Sequence, residues 1–132
     1  MVAVAQGRHV GVDVERLRTD VRFDEIVRRY FSAREATEFQ GLPAAEREQA
    51  FFAAWTRKEA YVKARGRGLK IPFDAFSVSM SHLTPAALVE ADAEDRTGRW
   101  VLLDLSVATR FAAAVAVAAP CERVECRAWP EY

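Results

Sequence analysis

What is scarce in this sequence narrows its function first. Its 132 residues carry no excess charge, nineteen basic side chains being matched by nineteen acidic ones. Bulk electrostatic attraction to nucleic acid or to an anionic membrane is therefore unsupported. Long apolar runs are missing as well. The longest, Phe111 to Ala119, is too short to span a bilayer, and Arg8 interrupts any leader-like start. The expectation is a soluble, cytoplasmic protein with no nucleic-acid partner and no membrane. Only two cysteines are present, Cys121 and Cys126. Without a second pair or a nearby histidine, they read as reduced structural thiols rather than half of a metal site. The two histidines, His9 and His82, read as polar surface residues. No Walker-type loop occurs, and no serine, histidine and aspartate spacing argues for a hydrolase triad.

What is there suffices for a core. Hydrophobic residues make up 51% of the chain, and residues 1–132 read as one domain. "MVAVA" and "HVGVDVE", separated by Gln6-Gly7-Arg8, suggest an opening β-hairpin. In the second run Val10, Val12 and Val14 are expected to face the core, with Gly11, Asp13 and Glu15 sharing the opposite face. Two short helices follow, "IVRRYF" after Asp24-Glu25 and "SAREATEF", where Ser32 and Glu35 match a capping box. Pro43 opens a long helix running to about Gly66. "FDAFSVSM", "AALVEA", "RWVLLDLSV" and "RFAAAVAVAA" read as strands, the last against the helical preference of alanine. The fold class is α+β: an antiparallel sheet with a long helix and short helices packed on one side.

The long helix carries an anomaly. At about 100° per residue, Phe51, Val62, Trp55, Gly66, Glu59 and Phe52 fall in sequence around one arc, which puts Glu59 inside an apolar stripe. A carboxylate there is costly unless paired, protonated or bound to a metal. Asp13 and Glu15 are a second acidic pair, on one strand face about 6.5 to 7 Å apart. A hard divalent cation such as Mg²⁺ between them would turn their repulsion into attraction, with Glu59 as a third ligand if the helix crosses this strand. The bland alternatives stay open: a solvated strand face for the pair, and for Glu59 an ion pair with Lys63 at i+4 or with a neighbouring arginine. Trp55 reads as core packing. From Arg57 to Lys70 six basic residues stand against Glu59 alone, a stretch suited to a phosphorylated ligand.

"VGVDVE" (Val10 to Glu15), "RRYFSAREATEF" (Arg28 to Phe39), "FFAAWTRKEAYVKARGRGL" (Phe51 to Leu69) and "FDAFSV" (Phe73 to Val78) resemble, in order and spacing, the 4′-phosphopantetheinyl transferases of the surfactin-synthetase-activating type. Both parts of that family's signature, G-[IV]-D-x-E and W-[ST]-x-K-E-[AS]-x-x-K, are complete. The resemblance implies transfer of the 4′-phosphopantetheine arm of coenzyme A to a serine of an acyl or peptidyl carrier protein, releasing adenosine 3′,5′-bisphosphate, as a holo-[acyl-carrier-protein] synthase does. It implies Mg²⁺ held by Asp13, Glu15 and Glu59, with Lys63 and Lys58 near the coenzyme A diphosphate. It makes Glu59, directly or through a metal-bound water, the group that deprotonates the carrier serine, beside a catalytic Lys63. Glu35 matches a recurring acidic position. Arg16, Arg18, Arg22, Arg28 and Arg29 lie where the family tends to receive its acidic carrier, or form an ordinary solvated face.

The resemblance covers only the second of the two similar halves of such enzymes, one half of the two-half fold. The first half's residues for the adenosine 3′-phosphate, and its Ser-His pair ahead of the first strand, are missing; Ser81-His82 stands elsewhere. Three readings follow. The chain self-associates, as a homodimer or else a trimer, and builds coenzyme A sites between subunits; or it is a catalytically weak half or pseudoenzyme; or it is a non-enzymatic module that binds carrier proteins or a separate first-half chain.

Overall fold

A computed structural model describes residues 1–66, 71–91 and 99–128. The first strand, β1, is Val10–Arg16, and the two short helices are α1, Phe23–Tyr30, and α2, Ala33–Gln40. Ser32 caps α2 as its sequence promises: the side chain accepts from the Glu35 amide and the Glu35 carboxylate accepts from the Ser32 amide. Pro43 opens not the long helix itself but a 3₁₀ turn, Ala44–Glu46, which leads into α3, Arg47–Arg65. Gly66 ends α3 in a positive-φ conformation that a side chain would resist. The remaining strands are β2, Ser77–Val78, β3, Leu88–Glu90, β4, Trp100–Leu105, and β5, Phe111–Ala118. The alanine-rich β5 is a strand because it is the centre of the sheet, paired on both sides and buried on both faces, where tertiary context outweighs the preference of alanine.

The strands form two sheets rather than the single one expected: an antiparallel β1-β5-β4 sheet, and a β2-β3 pair. The opening hairpin is not formed either. Gly7 does turn the chain, at φ 66°, but residues 1–5 hold no strand and β1 stays an edge of its sheet. They line a groove of about 510 Å³ together with Val10, Val12, Val115, Val117 and residues 121–127. Cys121 and Cys126 border it as free thiols, and neither is buried. Among the described residues no helix is long and apolar enough to cross a membrane.

The sidedness of β1 is the reverse of the expectation. Gly11 and Asp13 are its buried residues, and they face α3, while Val10, Val12 and Val14 are only half-buried. The register explains the inversion. Gly11, Asp13 and Glu15 pair with Ala116, Ala114 and Ala112, and Leu102 and Asp104 pair with the same Ala116 and Ala114 from the other side. The face beneath α3 is thus built from glycine and alanine, short enough for a helix to lie close. A Cβ added to Gly11 would strike the Ala60 carbonyl oxygen and the Ala64 amide nitrogen, and would stand 2.8 Å from the Lys63 carbonyl carbon. The aliphatic bulk of Val10, Val12, Val115, Val117, Leu103 and Leu105 falls on the outer face.

The main core fills the other flank of α3. Phe31, Phe51 and Trp55 stack in series, with Phe23, Phe52 and Phe73 edge-on or tilted against them. Tyr61, Phe76, Val78 and Met80 continue the cluster toward β2.

Gly11→Ala tests the close approach. Overpacking against helix backbone should cost about 1–3 kcal/mol or more, read as a lower denaturant midpoint. Gly7→Ala, with nothing within 4 Å but a positive φ, should lose only about 1 kcal/mol. Equal losses would show that Gly11 serves conformation rather than packing.

Candidate functional site

Three turns of chemistry meet where α3 crosses β1. Asp13 lies under the helix, only 6% exposed. Its Oδ1 accepts a hydrogen bond of 2.7 Å from Lys63 Nζ, while its Oδ2 is buried without a partner. Glu15 is the next residue along the same strand face, and Glu59 and Lys63 stand one turn apart on α3 at the rim of the sheet. Glu59 is half-buried, between the apolar flank and solvent, as its place in the stripe suggested.

Burial, then the Asp13 carboxylate, pushes Glu15 above the ordinary carboxylate range; a side-chain hydrogen bond from Trp55 and the Lys63 charge work against that rise. Burial raises Glu59 likewise, followed by Asp13, with Lys63 opposing and Glu15 adding to the rise. The hydrogen bond to Asp13 raises Lys63 and holds it as a cation. The three carboxylates therefore feel one another. They do not yet form a cage: among the described residues no group of three or more histidine, cysteine, aspartate or glutamate side chains stands ready to hold a metal.

Lys58 is placed differently from the expectation. It and Glu35 are both 0% exposed, and its ammonium donates 2.7 Å bonds to Glu35 Oε1 and the Phe76 carbonyl. Phe31, Phe73 and Phe76 surround it, the Phe76 ring centroid at 4.0 Å. Burial lowers its affinity for the proton, while Glu35 raises it. A lysine so enclosed has no free ammonium for a diphosphate, and its role as a cofactor ligand gives way to a structural one. Glu35 anchors the same network, accepting also from the Ser32 and Val78 amides, so it ties α2, α3 and β2 together.

The remaining basic residues divide in the same way. The buried Arg57 donates from Nε to Asp104 at 2.8 Å and from its terminal nitrogens to the carbonyls of Ser79, Ser81 and Thr84. Arg65 lies over the Tyr61 ring. Arg67 and Lys70 lie outside the described residues. Lys63 is a cation of this stretch that the fold brings to the carboxylates. Arg16, Arg18, Arg22, Arg28 and Arg29 are all exposed, on β1, its following loop and α1. His9 is exposed, whereas His82 is half-buried with a buried, unpartnered Nδ1, away from the carboxylates in a pocket with Thr56 and Asp104. Sequence reasoning missed two contributors. Trp55 is core packing, as expected, but also acts on Glu15, lowering its proton affinity against the rise from burial. Gly11 sets the helix distance, and its signal was readable: a glycine between valines, opposite Ala60 and Ala64 spaced by four.

The raised glutamates fix a sign. A group whose folded proton affinity exceeds its unfolded one stabilises the fold at low pH and loses that contribution as pH rises through the folded value. In metal-free buffer, stability should therefore decline as pH climbs above the ordinary glutamate range, and Glu59→Gln should flatten the decline. Denaturant midpoints across pH check this; a profile rising with pH would put favourable partners, not burial, in control. The Lys58 pair predicts a different pattern. Lys58→Met leaves a buried carboxylate without its cation and should cost about 3–5 kcal/mol, and adding Glu35→Gln should restore much of it. A mild single-variant loss would mean that the pair is solvated.

Comparison with known proteins covers the segment that carries this geometry. The family model described as ACPS, the 4′-phosphopantetheinyl transferase superfamily, matches residues 9–116. The 4′-phosphopantetheinyl transferase HetI of Nostoc sp. is 35% identical over 118 residues, 89% of this chain and 47% of that protein. The 4′-phosphopantetheinyl transferase Sfp of Bacillus subtilis is 30% identical over 80 residues, 61% of this chain and 35% of that one. The chain thus spans about half, or less, of these relatives' length. Among solved structures, Thermotoga maritima holo-[acyl-carrier-protein] synthase superposes with a TM-score of 0.65 at 22% identity, covering 83% of this chain and 62% of that one. The Chronobacterium ammoniagenes ACPS–CoA complex gives 0.58 at 19% identity, covering 89% of this chain and 100% of that one. At such identities the structures speak for the fold, and the family match, with both signature segments converging on Asp13, speaks for descent: the chain belongs to the 4′-phosphopantetheinyl transferase superfamily.

Proposed function

We propose that this chain transfers the 4′-phosphopantetheine arm of coenzyme A to a serine of an acyl or peptidyl carrier protein in the cytoplasm, with Mg²⁺ held by Asp13, Glu15 and Glu59. The observation that carries the reading is Asp13, a carboxylate 6% exposed whose Oδ2 has no partner. A buried, unsatisfied anionic oxygen is costly, and its persistence beside two further carboxylates argues for a cation as the absent partner. The donors are all oxygen, which suits Mg²⁺, and that ion takes one or two carboxylates with waters and phosphate oxygens, so a preformed cage is not required. When bound, Mg²⁺ supplies charge neutralisation at the diphosphate.

The chain's own residues do the rest. Glu59, raised by burial, has the basicity to take the proton from the carrier serine hydroxyl. The serine oxygen forms a bond to the phosphorus that bears the pantetheine arm, and the bond from that phosphorus to the bridging oxygen breaks, leaving adenosine 3′,5′-bisphosphate. Lys63 neutralises charge on the phosphate oxygens as this happens. The exposed arginines from Arg16 to Arg29 offer an acidic carrier a docking rim. The outer sheet face, with Val10, Val12 and Leu103 only partly covered, supports self-association, and the second wall of the cofactor cleft, on the opposite face beside Asp13, would come from a copy that reaches the rim of the site. A homodimer is favoured, a trimer next.

One observation favours a second reading. The chain covers 47% of HetI, so a catalytically weak half, acting as a module that binds a carrier protein or a partner chain, fits the same coordinates.

The two readings part in one assay. Incubated with coenzyme A, Mg²⁺ and several carrier proteins, the chain should add the phosphopantetheine mass to at least one carrier in mass spectrometry. Asp13→Ala should lower the rate roughly 100-fold or more, the scale of one preorganised electrostatic contact. Light scattering should find an oligomer. An active, monodisperse monomer near 14.8 kDa would refute the shared cleft, and an inactive one with no carrier modified would favour the binding module.

A further inference from the structure

The site holds one cation already, and it belongs to the protein. Lys63 Nζ sits 2.7 Å from Asp13 Oδ1, on the same carboxylate whose unpartnered Oδ2 the proposed metal would take. The two partners differ in mobility. Asp13 is 6% exposed beneath α3, whereas the Lys63 side chain is 51% exposed on a flexible four-carbon stem. The helix backbone between them cannot yield much: a Cβ at Gly11 would already crowd the Lys63 carbonyl carbon, and Arg57 and Lys58 pin α3 to the strands on both flanks. Whatever rearranges here is the lysine side chain.

The geometry points to Lys63 as a built-in counter-ion: it neutralises Asp13 in the metal-free chain and leaves that oxygen when a divalent cation enters, so that its ammonium becomes available to a phosphate group only then. This rests on the metal reading of Asp13 above. The argument is electrostatic. Without a cation, three mutually repelling carboxylates in a half-buried site need a positive charge, and Lys63 is placed to provide it. A dication at the Asp13 carboxylate would stand within a few ångströms of that ammonium, and like charges so close repel strongly where water is partly excluded. The lysine is the group that can move. The displaced ammonium keeps its charge and lies beside the cation, where a phosphate oxygen would gather. Metal binding would thus both create the phosphate site and release its second member, which makes metal and phosphate binding reciprocally favourable beyond simple attraction to the ion.

Heteronuclear NMR of the lysine ammonium groups tests this on the full chain, with Mg²⁺ as the only addition. A hydrogen-bonded ammonium exchanges its protons slowly with water, so the metal-free chain should show signals from Lys58 and Lys63, the second assigned by its loss in Lys63→Gln. Titration with Mg²⁺ should abolish the Lys63 signal and spare that of Lys58. Calorimetry on Lys63→Gln, without any phosphate ligand, should show Mg²⁺ binding roughly five- to tenfold tighter than in the parent, since the competing charge is gone. A Lys63 signal that persists at saturating Mg²⁺, or a variant that binds Mg²⁺ no more tightly, overturns the counter-ion role while leaving the metal site standing. Absence of Mg²⁺ binding in both proteins overturns the metal reading itself.

Discussion

The closest constraint in this fold is the contact between a strand that has given up its side chain and a helix that has kept its side chains small. At Gly11, β1 runs against the backbone of α3 at Ala60 and Ala64, and the alanines of β5 continue the same thin surface. Everything chemical in the molecule is placed relative to that contact. Asp13 lies two residues beyond Gly11 and so is drawn beneath the helix. Glu59 and Lys63 each precede one of the contacting alanines and so flank the crossing. Were the helix held one side-chain layer further out, as over a valine face, Asp13 would be reached by water, and its need for a cation would disappear.

Arg57, Lys58 and Lys63 of α3 each hydrogen-bond a carboxylate, and the three pairs differ in how closed they are. Lys58 with Glu35 is closed: both partners are fully buried, every bond is to a fixed group, and aromatic rings fill the space around the ammonium. Arg57 with Asp104 is buried at the arginine end alone, the Asp104 side chain being 40% exposed, but its remaining donors are spent on backbone carbonyls of the segment after β2, which anchors the guanidinium. Lys63 with Asp13 is open at the lysine end and leaves one carboxylate oxygen unsatisfied. Buried pairs with complete bonding hold a helix in register, and a pair with slack can exchange partners. The two anchored pairs fix the rotation of α3, and the open one sits where that rotation aims it.

Much of this was legible in the sequence, for identifiable reasons. The capping box of α2, the C-terminal end of α3 and the strand identity of β3 and β4 follow from local signals, whereas α3 starts at Arg47 rather than Pro43 and β5 is a strand against the preference of its alanines. The carboxylate group was legible because two periodicities, of two residues along β1 and of 3.6 along α3, made the same acids conspicuous. The misreadings have separate causes. Alternation along β1 shows that two faces differ but not which one meets the helix, and the larger side chains were assigned inward by default. The actual packing reverses this because a helix needs a shallow surface, which valines do not offer. Lys58 was assigned to the diphosphate by the family resemblance, whereas its partner Glu35 is remote in sequence and only the fold brings the two together.

The reversal also bears on what kind of unit this is. A sheet that shows glycine, alanine and acids to its own helix must put its aliphatic residues on the far side, where, among the described residues, the segments 1–5 and 121–127 line a groove with them. An apolar sheet face so thinly covered is a surface that ordinarily calls for a second layer. The same alternation that builds the carboxylate site on one face of β1 therefore builds the demand for a partner on the other. Within five residues, Val10 to Val14, the strand sets an acidic face under the helix and an apolar face away from it, and a change that moved the strand register by one residue would exchange the two.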